Sequence, residues 1–333
     1  MTDRKLRWGV LSTANIGRAA VNPAIQASAN GVLAAVASRD EARARAFAEL
    51  ASIPRWHGSY EALVDDPEVD ALYIPLPNSL HKEWTIRAAE AGKHVLCEKP
   101  LALDAAECRE MQAAADAHGV KLMEAFMYRF HPRTGKVLEM VRSGVLGDVR
   151  TLRSAFTFRL TRPGNIRMDP DLGGGALMDV GCYCVNVSRT VVGGEPVAAQ
   201  ARAHWAASGV DAELTGILLF EDGVTAHFDC SLTMERSEFF EVAGTEAWIR
   251  VADAFLPGTG ETTIHEQRGR GKEETHTVPG ADEYRTMVER FAESALNDTP
   301  VPYPAEEAAR NMRAIEALYR SARAGGVPVT VEE

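Results

Sequence analysis

The sequence has no apolar run that approaches the roughly 20 residues needed to span a bilayer, so no membrane partner is expected. Its opening, Met1-Thr2-Asp3-Arg4-Lys5, is charged, and the short apolar run that follows meets Ser12 and Asn15. It therefore reads as a first strand and not as a signal peptide. Basic charge is scarce: 36 Lys and Arg face 47 Asp and Glu, for a net charge of −11. No basic recognition motif offsets this, which argues against nucleic acid as a partner. Only five cysteines occur, at 97, 108, 182, 184 and 230. Cys182-Tyr183-Cys184 is C-x-C, no zinc spacing is present, and the odd, scattered set predicts reduced thiols in a cytoplasmic protein. The nine histidines include no H-E-x-x-H, so no metal is expected. Repeats, low-complexity tracts and long linkers are missing too. What remains, 333 residues at 46% hydrophobic and 25% charged, fits an ordinary globular protein of two domains.

The first third alternates strands and helices. Apolar runs at 6–11, 32–37, 71–74, 94–97 and 121–125 alternate with helical stretches, among them 40–50, 59–64, a helix capped by Asn78 that runs to Gly92, and one opened by Asp104 and Glu107 in capping-box fashion. This pattern predicts βαβ units, a parallel sheet and right-handed crossovers. Ligands bind at the carboxyl ends of such strands, so the residues there carry the functional reading.

After the first strand, Ser12-Thr13-Ala14-Asn15-Ile16-Gly17 forms a small-residue turn before a helix, where free backbone N–H groups bind phosphate. Ser12, Ala14 and Gly17 occupy the G-x-G-x-x-G spacing with only the last a glycine, and an ordinary tight βα turn is the competing reading. The second strand ends in Ser38-Arg39. A serine there can donate a hydrogen bond and an arginine can pair with a 2′-phosphate, whereas an acid in Ser38's place would repel it. Asp40, as the cap of the next helix, points elsewhere. The strand end therefore favours NADP(H) over NAD(H); the alternative is that Arg39 is a solvated surface charge. In Ile74-Pro75-Leu76-Pro77-Asn78-Ser79-Leu80-His81, two prolines stiffen a loop whose Leu76, Asn78 and His81 are candidates for the nicotinamide–ribose side, or a rigid loop with a plain cap. Cys97-Glu98-Lys99-Pro100 places a carboxylate and a lysine at the next strand end, with a proline that restricts the backbone beside Lys99.

Further on, Phe126-Met127-Tyr128-Arg129-Phe130-His131-Pro132 is too polar for plain core and suggests a cleft wall or an interdomain hinge, with Met127 and Arg129 as candidate substrate contacts. Arg167 precedes Gly173-Gly174-Gly175, which leads into a helix bearing Asp179 and Tyr183 at i and i+4, on one face. Asp179 on an apolar turn needs a partner. Tyr183 is either core packing or an acid–base group. A free tyrosine has a pKa near 10, and a lysine cation lowers it; Lys99 is the candidate.

Glu98-Lys99-Pro100, the Ser38-Arg39 strand end, the run from Glu124 to Pro132 and the run from Gly173 to Tyr183 together resemble the glucose–fructose oxidoreductase / inositol dehydrogenase (Gfo/Idh/MocA) family over nearly the whole chain. A tyrosine at 183 resembles the branch with dimeric dihydrodiol dehydrogenase and NADP-dependent D-xylose dehydrogenase. The resemblance implies catalytic Lys99 and Tyr183, Asp179 supporting them in the substrate site, and a cis bond before Pro100; Glu98 reads as a cofactor-side or a structural group. It also implies a homo-oligomer formed through an open sheet.

From about Gly147 the pattern changes to strands without intervening helices: 149–160, 197–206, 213–220, 224–232, 239–243 and 247–251, with Glu221-Asp222-Gly223 as a hairpin turn. The expectation is α/β: a doubly wound Rossmann domain over 1–125, then an α+β domain over 126–333 with an open, mainly antiparallel sheet and two closing helices. The function expected is NADP(H)-dependent hydride transfer to or from a secondary alcohol, hemiacetal or carbonyl carbon of a sugar, cyclic polyol or diol. A NAD-dependent glycosidase of the same family and a non-enzymatic cofactor-binding protein are the alternatives.

Overall fold

The computed structural model describes residues 4–162 and 164–332. Two compact units comprise residues 1–127 with 282–309, and residues 128–281 with 310–333. A single cut near 125 leaves 282–309 with the second part of the chain, whereas the fold groups them with the first.

The first unit contains β1 (Leu6–Leu11), α1 (Asn22–Ala27), β2 (Gly31–Ala37), α2 (Glu41–Leu50), β3 (Arg55–His57), α3 (Tyr60–Val64), β4 (Ala71–Ile74), α4 (His81–Glu90), β5 (His94–Cys97), α5 (Ala105–Ala117) and β6 (Leu122–Glu124). The strands form one sheet in the order β3-β2-β1-β4-β5-β6, with every pair parallel. Strand order reverses on either side of β1, so the crevice beyond the carboxyl ends of β1 and β4 is the switch point where α/β folds hold ligands. The apolar runs are buried because helices cover a parallel sheet on both faces: Val10, Val36, Leu72 and Leu96 are fully buried. Asp40 caps α2 by accepting the Arg43 N–H at 2.9 Å. Asp104 caps α5 as expected, accepting the Glu107 N–H at 2.7 Å, but Glu107 reaches back to the Leu103 N–H, at 3.1 Å, one residue before the cap. Asn78 departs from expectation. It opens a 3₁₀ turn, Asn78–Leu80, and α4 starts at His81 without a side-chain cap. The later helix α8 (Glu283–Asn297) joins this unit through Phe291, whose ring centroid lies 5.3 Å from that of Trp8 in β1.

The second unit holds α6 (Pro132–Arg142), β7 (Val149–Thr157), α7 (Cys182–Val192), β8 (Pro196–Trp205), β9 (Asp211–Phe220), β10 (Thr225–Ser231), β11 (Ser237–Gly244), β12 (Ala247–Ala252), β13 (Thr262–Arg268), β14 (Lys272–Val278) and β15 (Val329–Thr330). The helix α9 (Ala305–Arg323) begins in the first unit and continues into this one. Nine strands form one sheet in the order β14-β13-β12-β11-β7-β10-β9-β8-β15. It is antiparallel except where β7 meets β10. The helix α7 packs on β7 and β10. Alternation along β8 and β9 buries one set of side chains and leaves Val197 and Ile217 about two-fifths exposed.

Candidate active site

In the first unit the turn after β1 is built on an unusual residue. Ser12 has φ +139, a region that favours glycine. The sequence therefore puts a side chain where the dinucleotide fingerprint has its first glycine, and local contacts hold it there. Its hydroxyl donates to Pro75 O at 3.2 Å and accepts the Ala14 N–H at 3.2 Å. One hydroxyl thus ties the turn after β1 to the loop after β4. Thr13, Ala14 and Ile16 are half-buried and Asn15 is exposed; Asn15 accepts from Arg18 at 2.8 Å. The helix that follows starts at Asn15 and passes into a π-helical turn, Gly17–Val21, a form that recurs at functional sites.

At the end of β2, Ser38 is buried and its Oγ accepts the Asp40 N–H at 3.3 Å. Arg39 is exposed. Burial pushes the Tyr60 phenol up, while Arg39, hydrogen-bonded to it, and Arg43 pull the other way. A hydroxyl and two guanidinium groups thus gather at this strand end, while Asp40 is turned into its helix cap. This donor set fits a 2′-phosphate. Arg43 was not singled out from the sequence; it lies in the first turn of α2, three residues beyond the cap Asp40.

The loops after β4 and β5 are joined by His81, which is fully buried. Its Nδ1 lies 3.0 Å from Pro100 O and its Nε2 2.9 Å from Leu76 O. Burial holds its pKa below the ordinary histidine range. It supports the backbone of both loops. Leu76 is buried, and Asn78 is half-buried. The Tyr73 hydroxyl donates to Glu98 at 2.6 Å, and the other Glu98 oxygen accepts the Lys99 N–H at 3.3 Å. Burial followed by the Glu98 charge drives the Tyr73 phenol well above its usual pKa, and Tyr284, in the first turn of α8, adds to the shift. The Lys99-Pro100 bond is cis. Beyond it, Glu124 at the end of β6 accepts the Leu101 N–H at 2.8 Å. Lys99 itself is half-buried, on backbone pinned from both sides; Met127 is buried.

In the second unit, Asp179 lies in another π-helical turn, Leu177–Gly181, immediately before α7. Arg167 Nε donates to Asp179 at 2.5 Å, which answers the requirement for a partner. Tyr183 is 4% exposed. Its ring centroid is 5.2 Å from Phe255, 5.3 Å from Phe156 and 6.0 Å from Tyr128, so three aromatic rings fix its orientation. The Tyr128 hydroxyl donates to Asn186 at 2.6 Å. Asn186, buried one turn beyond Tyr183 on the same helix, was missed in the sequence, although i+3 spacing marks the same face. Arg129 is half-buried. His131 Nδ1 accepts the Arg133 N–H at 3.0 Å and caps α6. The triple glycine is a close-packed crossing: a Cβ at Gly174 would lie 2.5 Å from Arg167 O, and one at Gly175 would lie 2.1 Å from Asp211 Oδ1. Among the described residues, Glu266, Glu274 and His276 could approach a metal together, but the buried Glu266 is already paired with Arg268 and His276.

Comparison with known proteins shows the family. Residues 6–126 match an oxidoreductase family with an NAD-binding Rossmann fold, and residues 135–250 match the GFO/IDH/MocA C-terminal domain. The chain is 41% identical to a D-xylose 1-dehydrogenase (NADP(+)) of Haloferax volcanii, over 96% of this chain and 98% of that protein. An aldose–aldose oxidoreductase from Caulobacter crescentus, complexed with glycerol, superimposes with a TM-score of 0.90 at 30% identity, over 98% of this chain and all of that one. A 3-ketoreductase from Actinomadura kijaniata, in complex with NADP and TDP-benzene, gives 0.90 at 30% identity over 96% and 98%.

Proposed function

The chain belongs to the Gfo/Idh/MocA oxidoreductase family, and from that premise we propose that it is an NADP(H)-dependent enzyme that interconverts a secondary alcohol or hemiacetal of a sugar, cyclic polyol or diol with the matching carbonyl. The observation that carries this reading is Tyr183, held by three aromatic rings one helical turn from the arginine-paired Asp179. Bound NADP(H) supplies or accepts the hydride. Ser12, Thr13, Ala14, Asn15 and Ile16 hold the diphosphate at the helix start. Ser38 and Arg39, joined by Arg43, hold the 2′-phosphate. Leu76, Asn78 and Glu98 line the nicotinamide–ribose side, with His81 fixing the loops behind them.

Tyr183 accepts the hydroxyl proton during oxidation and returns it during reduction. Lys99 hydrogen-bonds the substrate oxygen, stabilises its developing negative charge and favours the phenolate form of the tyrosine. Asp179 and Arg167 engage the neighbouring substrate hydroxyls, with Met127 and Arg129 as further contacts. The exposed apolar residues of the nine-stranded sheet, Val197 and Ile217, support a homo-oligomer through that face; gel filtration with light scattering checks it, and a monomer at micromolar concentration contradicts it.

The test is NADP⁺ reduction followed across pentoses, hexoses, inositols and diols. Turnover with one of these classes, lost in Tyr183→Phe, is expected. Tight NADP(H) binding without hydride transfer to any of them contradicts the reading.

A further inference from the structure

We propose that Asp211 is a positioning residue that fixes the start of the helical segment carrying Asp179 and Tyr183; this rests on the active-site reading above. Asp211 opens β9 and is 1% exposed. Its Oδ2 accepts the Leu177 N–H at 2.7 Å, and its Oδ1 accepts the Tyr319 hydroxyl at 2.7 Å. Leu177 begins the π-helical turn, Asp179 follows two residues later, and Tyr183 lies one turn beyond Asp179. A carboxylate at this point meets both the free N–H and the positive end of the helix dipole.

The glycine run passes close against the same carboxylate, and the Ala176 N–H that follows it also donates there. Gly175 has φ +125, and a Cβ there would come within 2.1 Å of Asp211 Oδ1 and 3.0 Å of Tyr319 Oη. Its N–H donates to Arg167 O at 2.9 Å. The glycine bonded to Arg167 O and the helix start that leads to Asp179 therefore both lie against one buried carboxylate.

A purely structural role predicts a different energetic signature. Burial raises the Asp211 pKa to about 6 against the hydrogen bonds that favour its charge. Because the folded value is raised, the associated stability is full below the ordinary carboxylate range and is lost as pH rises through about 6. Above that pH the fold carries a buried charge at some cost. The groups facing it are Tyr319 from α9 and Cys230 from β10, with Arg323 5.5 Å from the Tyr319 ring. An amide of the same shape removes the charge and keeps an acceptor for the Leu177 N–H. Losing this carboxylate is thus expected to loosen the site without weakening the fold.

The experiment compares the full-length wild type with Asp211→Asn and Tyr319→Phe by hydrogen exchange at Ala176–Gly181, by Tm at pH 8, and by kcat and KM on the best substrate from the panel. In Asp211→Asn, exchange in this segment should speed up about tenfold, the scale of the difference between a charged and a neutral hydrogen bond. Its kcat should fall while KM for NADP⁺ and Tm hold; Tyr319→Phe should move the same readouts by less. Unchanged exchange or kcat in Asp211→Asn overturns the proposal, as does a fall in Tm alongside faster exchange. Tyr183→Phe, assayed in parallel, separates the two readings: retained turnover there sinks the active-site reading, and the exchange and Tm results still decide whether Asp211 holds the helix.

Discussion

Each unit places a π-helical turn near the start of a helix, Gly17–Val21 in the first and Leu177–Gly181 in the second, and the two starts are satisfied differently. In the first, a neutral hydroxyl, Ser12 Oγ, accepts the Ala14 N–H. In the second, a buried carboxylate, Asp211, accepts the Leu177 N–H. A hydroxyl leaves the positive end of the helix dipole available to an outside anion, whereas a carboxylate neutralises it from within. The first helix start is therefore suited to bind a phosphate. The second is suited to hold still the segment that carries Asp179 and Tyr183, the side chains proposed to meet the substrate.

The contrast can be broken most strongly at the groups assigned to chemistry. Lys99→Met and Tyr183→Phe should each lower kcat by about a hundredfold or more, the scale of a lost acid–base group, with circular dichroism unchanged; near-normal turnover in a folded variant removes the assignment. Next comes the anion end. Arg39→Ala combined with Arg43→Ala should cut the preference for NADP⁺ over NAD⁺ by about tenfold or more, since each charge-assisted contact is worth roughly 1.5–3 kcal/mol. A ratio of kcat/KM values that does not change would make both arginines plain surface charges.

A pH-dependent effect separates support from chemistry. Burial and Arg133 push the His131 pKa down to about 4. A lowered histidine contributes stability that is full above its ordinary value and is lost as pH falls towards 4. His131→Asn keeps a capping side chain for α6, so its melting temperature should fall less than the wild type's between pH 6.5 and 4; parallel curves would contradict this. The smallest effect is expected at Ser12. Ser12→Gly relieves the positive φ but loses two hydrogen bonds, so Tm should change little while KM for NADP⁺ rises; a large drop in Tm would mean that the hydroxyl chiefly holds the fold.

The parallel sheet was readable because its buried strands are short apolar runs punctuated by capped helices: Ala71–Ile74 and His94–Cys97 fall where the sequence puts them. The Arg55–His57 edge strand was not, because three half-exposed residues carry no periodicity. The hairpin of β13 and β14 escaped for a related reason: Lys272–Val278 is almost wholly exposed and polar, and its pairing depends on the neighbouring strand. Asn78 looked like a cap because its residue type suits one, but local backbone geometry made a 3₁₀ turn instead. At the site, Asp40 as a helix cap and Asp179 in need of a partner were both legible from simple electrostatics. The role of Asp211 was not, because it depends on a strand 34 residues from Leu177, and no local pattern connects the two. His81 read as a cofactor neighbour because it lies in a loop at the ligand edge; its burial between two carbonyl groups is a tertiary fact.

The most direct test of the account measures kcat for NADP⁺ reduction and the dissociation constant for NADP⁺ on the same preparations of wild type and Tyr183→Phe. In Tyr183→Phe, kcat should fall about a hundredfold with NADP⁺ binding unchanged, because the two helix starts do separate work. A kcat that is essentially preserved, or a loss of activity explained wholly by weaker NADP⁺ binding, would contradict it.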